Sequence, residues 1–217
     1  MGALVASTAG FFAFLEEAMA FITELDVVNA CLQSMGRSPI NSIASGSPII
    51  TSAQASLRIA LMEEQAIGWW FNRELVTLNP NTDNQVYCPA DTLQLTTDEN
   101  PPWLSTRGSR LYDNRIGDYF TTTAPITVDM LRMIPLDDLP YQAQRLVQTA
   151  AVLNFQKSFD ADAAKIQSAK EDYGKALALI RAAHIRAVKA NMLYQGEGGR
   201  RMQRQRNFNY PDYRWRN

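Results

Sequence analysis

The stretch from Ala55 to Leu78 constrains the fold most, because a helical pattern passes directly into a strand pattern within it. Apolar residues recur there at alternating steps of four and three, which places them along one side of an α-helix. These residues are Ala55, Ile59, Met62, Ala66 and Trp69. The pattern predicts that the helix stops at Gly68, that Trp69-Trp70-Phe71 form a core junction, and that Glu74–Leu78 form a strand. A helix that leads directly into a strand indicates one folded unit whose bundle and sheet share a core.

Two helices are predicted in the first third of the chain. The first has apolar residues three and four positions apart and ends at Gly36, a residue that suits a helix C-terminus. Its apolar residues are Leu25, Val28, Leu32 and Met35. A loop rich in Ser, Gly and Pro follows from Ser38 to Pro48. Ser52 is the expected N-cap of the second helix, the one that contains Ala55.

Two more helices are predicted after Pro135-Leu136-Asp137-Asp138-Leu139-Pro140. The third helix has two adjacent apolar stripes, which indicates burial on more than one side. The stripes are Leu139, Ala143, Leu146, Ala150 and Leu153, and Val147, Ala151, Phe155 and Phe159. The apolar positions of the fourth are Ile166, Tyr173, Leu177, Ile180, His184 and Val188. Because only a short break at Asp160 to Asp162 separates them, these helices should form an antiparallel hairpin.

Between the two pairs of helices the period changes to two. The candidate strands are Glu74–Leu78, Thr92–Leu95, Arg110–Tyr112, Tyr119–Thr122 and Ile126–Met133. Turn residues separate them, so we expect one small antiparallel sheet. The fold class is therefore mainly α with a β insertion, an α+β fold in which an antiparallel helix bundle carries the sheet. The predicted divisions are an apolar extension at 1–22, a bundle at 23–71 and 135–193, a β-rich insertion at 72–134, and a flexible arm at 194–217.

The arm is basic although the chain as a whole is not. The whole sequence has a net charge of −1, whereas the residues from Gly196 onward have six arginines, two acidic residues and a net charge of +4. The arm residues predicted to bind a partner are Arg200, Arg201, Arg204, Arg206, Phe208, Tyr210, Tyr213, Arg214, Trp215 and Arg216. Arginine and aromatic residues are enriched at protein interfaces and in nucleic-acid contacts. We expect docking on an acidic protein surface first and on DNA second; a merely solvated basic terminus is the alternative.

The sequence offers little material for catalysis. Its only histidine, His184, falls on the apolar face of the fourth helix, where a packed side chain is expected rather than a general base. Cys31 and Cys88 with one histidine form neither a metal constellation nor a disulfide framework, which favours a reducing compartment. No metal, cofactor or enzymatic activity is predicted. Paired carboxylates at 63–64, 137–138 and 171–172 are expected on solvated faces, although a glycosidase-like pair stays open.

The apolar extension fits neither a secretory signal nor a membrane span. No Lys or Arg precedes Arg37, whereas a signal needs a basic start. Glu16-Glu17 interrupts the apolar run before it reaches the about 20 residues of a membrane helix. We therefore expect a short extra helix, partly disordered, and no membrane partner.

The order of several segments carries a family resemblance. They are Leu25 to Ile40 with its Met35-Gly36-Arg37-Ser38-Pro39 turn, Gly68-Trp69-Trp70-Phe71-Asn72-Arg73-Glu74, Val76-Thr77-Leu78, Arg110-Leu111-Tyr112-Asp113, Pro135-Leu136-Asp137-Asp138-Leu139-Pro140, and Asn154-Phe155-Gln156. In this order they resemble the tail tubular protein A family, the head-to-tail adaptors of T7-like short-tailed phages. The resemblance covers roughly residues 24 to 192, and the apolar start and the arm depart from it.

The resemblance implies a structural adaptor in the virion tail, assembled in the host cytoplasm. It implies a ring of twelve copies between the portal and a nozzle protein of the tail tubular protein B type, with genomic DNA passing through without sequence-specific binding. The arm would reach the portal and adjacent subunits. Two other functions stay open at this point: a tail-associated enzyme that degrades polysaccharide, and a DNA-binding packaging module.

Overall fold

A computed structural model describes residues 22–43, 47–96, 100–159 and 162–195 of the chain. This part contains four α-helices: α1 (Glu24–Ser34), α2 (Pro48–Ala66), α3 (Tyr141–Ser158) and α4 (Ala163–Gln195). Between α2 and α3 lie the strands β1 (Arg73–Leu78), β2 (Thr92–Leu95), β3 (Leu104–Arg107), β4 (Arg110–Asp113), β5 (Asp118–Tyr119) and β6 (Ile126–Arg132). A 3-10 turn, Leu136–Asp138, precedes α3. The predicted α+β class is confirmed.

The ends of α1 follow from its sequence. The Thr23 hydroxyl accepts a hydrogen bond from the Asp26 backbone N–H, and the Asp26 carboxylate accepts one from the Thr23 N–H, so the two form a capping box. At the other end Gly36 has φ +75°, a value that glycine adopts without strain. The Arg37 N–H bonds to the Leu32 carbonyl across this turn. The predicted stop of the first helix at Gly36 is confirmed.

The second helix differs from the prediction in its start and in its buried side. It begins at Pro48, after the N-cap Ser47, and not after Ser52, because a proline suits the first turn, where the backbone N–H has no helical partner. The predicted apolar stripe is buried only in part: Trp69 lies in the core, whereas Ile59, Met62 and Ala66 are exposed. The buried residues lie on the opposite side and are Ile50, Ala53, Ser56, Leu57, Ala60, Glu64 and Gln65.

Helices α3 and α4 form the predicted hairpin, joined through residues 159–162. Both predicted stripes of α3 are buried, with Phe155 fully enclosed and Phe159 partly exposed just after the helix. From α4, Ala169, Ala176 and Ile180 enter the core of the bundle. With 33 residues against the 18 of α3, α4 continues about 22 Å past the start of its partner at 1.5 Å per residue.

The β region forms two antiparallel three-stranded sheets rather than the single sheet predicted. The first has the order β1-β6-β2, and the second has the order β3-β4-β5. β3 was not among the predicted strands, the predicted strand Tyr119–Thr122 is observed at Asp118–Tyr119, and Thr92–Leu95 matches its prediction. Both sheets contribute to one apolar core, which contains Leu78, Val86, Cys88, Leu104, Leu111, Val128 and Met130.

Two buried side-chain amides connect the sheets to the bundle. Gln65 donates to the Ile134 carbonyl and accepts from the Ile134 N–H, at 2.9 and 2.8 Å. Asn72 accepts from the Trp69 N–H and donates to the carbonyls of Gln65 and Arg132. We call Gln65 and Asn72 the neck. The neck joins the segment through which the chain leaves the helix bundle to the segment through which it returns. These hydrogen bonds fix the position of the sheets relative to the helices.

Within the described ranges, no helix is both long and apolar enough to cross a membrane. The predicted extra helix before Ile22 lies outside the described residues. Ile22 itself is buried in the core of the bundle.

Candidate assembly surfaces

The predicted arm begins where the described part of the chain ends. Residues 196–217 lie outside the described residues, so all ten predicted partner-binding residues of the arm stay a prediction. The structure does describe the element that leads to them, since α4 reaches Gln195. The described surfaces are those of the helices and the sheets.

Three aromatic residues after α2 form the junction that the sequence predicts. Trp69 is buried and donates its indole N–H to the Glu64 carbonyl at 2.7 Å. His184 of α4 packs edge-on against Trp69 with ring centroids 5.6 Å apart and lies 6.0 Å from the Trp70 ring. The prediction that His184 is a packed residue is confirmed. The junction joins the end of α2 to the part of α4 that extends past α3.

A carboxyl group is buried beside this junction. Glu64 faces α4, where the Tyr173 hydroxyl donates a hydrogen bond to it. Burial raises the pKa of Glu64, and the bond from Tyr173 opposes the rise in part. Burial of the Tyr173 hydroxyl and, after it, the neighbouring Glu64 carboxylate raise the pKa of Tyr173 to about 12. Sequence reasoning placed Glu64 on a solvated face, since adjacent glutamates usually lie there, and that was wrong.

The remaining predicted carboxylate pairs lie on solvated surfaces, as expected. Asp137 and Asp138 are exposed in the 3-10 turn. Glu171 accepts from Gln167, and Asp172 accepts from Lys175 one helical turn away. Among the described residues, no group of three or more His, Cys, Asp and Glu could hold a metal ion.

The two cysteines are free and buried. Burial raises the pKa of the Cys31 thiol to about 12 and raises that of Cys88 as well. A thiol reacts as its thiolate, so both should be inert toward thiol reagents in the folded protein.

Two helices expose apolar residues on their outward sides. The α2 outer face consists of Ile59, Met62 and Ala66, with Ile59 43% and Met62 39% exposed. The α4 outer face consists of Ala178, Leu179, Ala182 and Ile185, with Leu179 60% and Ile185 49% exposed. Sequence periodicity groups the first set on one side of its helix but does not distinguish a core face from an outward face. The second escaped notice because its alanines resemble ordinary helix-forming residues.

The second sheet holds three arginines against aromatic rings. The guanidinium carbon of Arg107 lies 3.7 Å from the Tyr112 ring centroid, and that of Arg110 lies 3.5 Å from the Tyr119 ring centroid. Arg115 covers Trp103. Stacking of this kind contributes about 0.5–1 kcal/mol at an exposed site and fixes the orientation of the guanidinium.

Arg115 also holds the turn between β4 and β5. It forms a 2.7 Å ion pair with Asp113, and the hydrogen bond from Arg115 holds the pKa of Asp113 below its ordinary value. Ile116, at the tip of this turn, is 76% exposed. The second sheet thus presents an ordered basic and aromatic surface that strand periodicity did not predict.

A family model described as "Tail tubular protein" matches residues 25–189, about three quarters of the chain. The chain belongs to the tail tubular protein family. Tail tubular proteins are structural parts of phage tails, and this one is accordingly a component of the virion tail that assembles with other phage proteins. No individual curated protein matches the chain. The matched residues include all four helices and both sheets, except the first residue of α1 and the end of α4.

Proposed function

We propose that this tail tubular protein is the adaptor that joins the portal to the tail nozzle of a short-tailed phage. Twelve copies form a ring in the host cytoplasm, and genomic DNA passes through its channel without sequence-specific binding. The helical segments 23–71 and 135–193 form the body of the ring, and the β-rich segment 72–134 faces neighbouring copies or the nozzle. The arm, residues 194–217, binds the portal.

The length of α4 is the observation that carries this proposal. The helix extends about 22 Å past the start of α3, and the arm follows directly from its end. Packing of His184 against Trp69 holds the first part of this extension on the body. The arm therefore starts at a defined position away from the bundle, which suits a connector that must reach a second protein.

The composition of the arm supports a protein partner over a free tail. Phe208, Tyr210, Tyr213 and Trp215 are four large aromatic residues within eight positions, more than a solvating tail needs. Aromatic side chains bury large areas at interfaces, and arginine pairs with carboxylates through two parallel hydrogen bonds. The portal surface that the arm contacts should accordingly be acidic and contain apolar pockets.

Electron microscopy of the protein mixed with its own portal tests the proposal. We expect an additional ring on one end of the portal. Removal of residues 199–217 should abolish binding and leave the helical circular dichroism unchanged. A variant with the four aromatic residues changed to alanine keeps all six arginines of the arm and separates the two contributions. A truncated chain that binds the portal as well as the full chain does would contradict the role of the arm.

A further inference from the structure

The two outer helix faces match each other in spacing and in size. Ile59, Met62 and Ala66 follow one another at steps of three and four, and Ala178, Ala182 and Ile185 follow at steps of four and three. Each set therefore spans two turns along one side of its helix. Aligned in parallel, the large Ile59 and Met62 lie opposite the small Ala178 and Ala182, and Ile185 lies opposite Ala66. Large residues against small ones let two helices interlock.

Charge is distributed so that different parts of two copies attract each other. Residues 173–217 contain ten basic and two acidic residues, a net charge of +8, and residues 1–172 therefore carry −9 of the total of −1. This basic part starts within α4, where Lys175, Arg181 and Arg186 occur without an acidic residue from 173 to 188. Contact between unlike parts is favoured, and contact between two basic parts is opposed.

One pair of charges beside the two faces agrees with this arrangement. Glu63 is exposed at one edge of the α2 outer face, and Arg181 is exposed at the edge of the α4 outer face that lies beside it when the helices are parallel. In the parallel alignment they lie within about one helical turn of each other, close enough for a long arginine side chain to reach the carboxylate. The α4 outer face thus fits the α2 outer face of a second copy in shape and, at this edge, in charge.

We propose that the α2 outer face of one protomer binds the α4 outer face of the next, with the helices parallel. The inference rests on the proposed ring and names the surfaces that close it. Because the two faces differ, each protomer uses one face on either side, and the same contact repeats around a closed ring. The contact also covers the exposed Ile59, Met62 and Ile185.

Cysteine cross-linking between two differently labelled variants tests this contact. One variant is Met62→Cys and the other is Ala182→Cys; the native Cys31 and Cys88 are buried and should not compete. Rings assembled on the portal from an equal mixture should give a disulfide-linked dimer under mild oxidation. Either variant alone should give none. Ile116→Cys, mixed with Ala182→Cys, is the matched control at an exposed position outside both faces.

Each result has a separate meaning. A ring that gives no cross-link in the mixture would overturn the proposed contact and leave the adaptor function standing. Cross-linking of Met62→Cys alone would also overturn it, because it requires two identical faces to meet. Failure to form any ring on the portal would overturn the proposed function, and the inference with it.

A second pair of variants measures the strength of the contact. Met62→Asp places a charge in the α2 outer face, and Ile116→Asp does the same on the turn of the second sheet. Because neither side chain is part of the core, both variants should remain folded, which the unfolding midpoint checks. We expect Met62→Asp to weaken self-association on the order of tenfold or more, which corresponds to about 1.4 kcal/mol. Equal effects of the two variants would contradict the assigned face.

Discussion

Asn72 determines how the chain passes from the bundle into the first sheet. Its side chain is fully buried and makes three hydrogen bonds, one as acceptor from the Trp69 N–H and two as donor to backbone carbonyls. A side-chain amide can do both at once, whereas a carboxylate can only accept. The sequence places Asn72 next to the aromatic junction but does not reveal this role, since its partners come from three separate elements.

Replacement of Asn72 by alanine tests the neck. Asn72→Ala leaves several buried backbone groups without partners, and each such group costs about 1–3 kcal/mol. We expect a loss of roughly 2–4 kcal/mol in the free energy of unfolding, measured by urea titration. Asn79→Ala changes an exposed asparagine seven positions later and is the control, with an expected effect within about 0.5 kcal/mol. A similar small effect at Asn72 would contradict the role of the neck.

Glu64 should make stability depend on pH. Because burial raises its pKa in the folded state, the folded protein holds this proton more tightly than the unfolded chain does. The contribution of Glu64 to stability is therefore fully present below the unfolded carboxyl pKa of about 4.3 and is lost as the pH rises through the raised folded value. Glu64→Gln removes this loss of stability with rising pH, whereas Glu63→Gln should retain it, since Glu63 is exposed.

Thermal unfolding of both variants between about pH 4 and pH 8 measures the effect. The unfolding midpoint of the Glu63→Gln protein should fall with rising pH relative to that of Glu64→Gln. Parallel curves for the two variants would show that Glu64 has the same pKa in the folded and unfolded protein. The comparison cancels the titration of every other group that the two variants share.

At the scale of elements, periodicity identified helices better than it identified their buried sides. The stripe Ile59, Met62 and Ala66 has a helical period, yet it faces outward, and the opposite side buries Glu64 and Gln65. Hydrophobicity alone could not identify the buried side of α2, because that side contains two polar residues. Gln65 is buried where it bonds to Ile134, and Glu64 is buried against Tyr173, and both partners are distant in the sequence. An apolar face that binds another protein has the same pattern as a core face.

The prediction of strands from periodicity has a related limit. Thr92–Leu95 was predicted with its observed bounds, but Leu104–Arg107 was missed. That strand has one buried apolar residue, Leu104, and owes its conformation to its pairing with β4. Short strands of this kind are determined by their neighbours rather than by their own sequence. The division of the strands into two sheets likewise depends on long-range pairing.

Gly68 makes the abrupt change from helix to strand possible. Its φ is +83°, and a Cβ built there would lie 3.1 Å from a methyl carbon of Leu131 in β6. Gly36 also has a positive φ, +75°, but its Cβ would meet open space. Gly36→Ala therefore measures backbone strain alone, about 1 kcal/mol, and Gly68→Ala adds the crowding of Leu131.

The expected loss for Gly68→Ala is about 2–3 kcal/mol in the free energy of unfolding, against about 1 kcal/mol for Gly36→Ala. Urea titrations of the two variants, analysed with a common slope, give the difference directly. Equal losses would mean that Leu131 moves aside freely. In that case the first sheet packs against the junction more loosely than the 3.1 Å distance to the Leu131 methyl carbon indicates.

At the scale of the whole molecule, the arm and the body have opposite charges. The chain without residues 196–217 carries −5, and the arm alone carries +4. A body of net negative charge suits a protein beside passing DNA, because phosphates and carboxylates repel each other and the polymer does not adhere. Attraction to DNA should therefore depend on the arm, which the proposed portal contact occupies in the virion.

This separation of charge predicts that the full chain binds DNA and that the chain without the arm does not. The chain that ends at Gln195 should not bind duplex DNA at about 0.15 M salt, whereas the isolated full chain should bind weakly at low salt and lose that affinity steeply as salt rises. Fluorescence anisotropy with a labelled duplex measures both, and circular dichroism checks that the shortened chain keeps its helices. Binding of DNA by the shortened chain would require a basic surface on the body, for which the arginines stacked in the second sheet are the first candidates. Such binding would contradict a channel through which DNA passes freely.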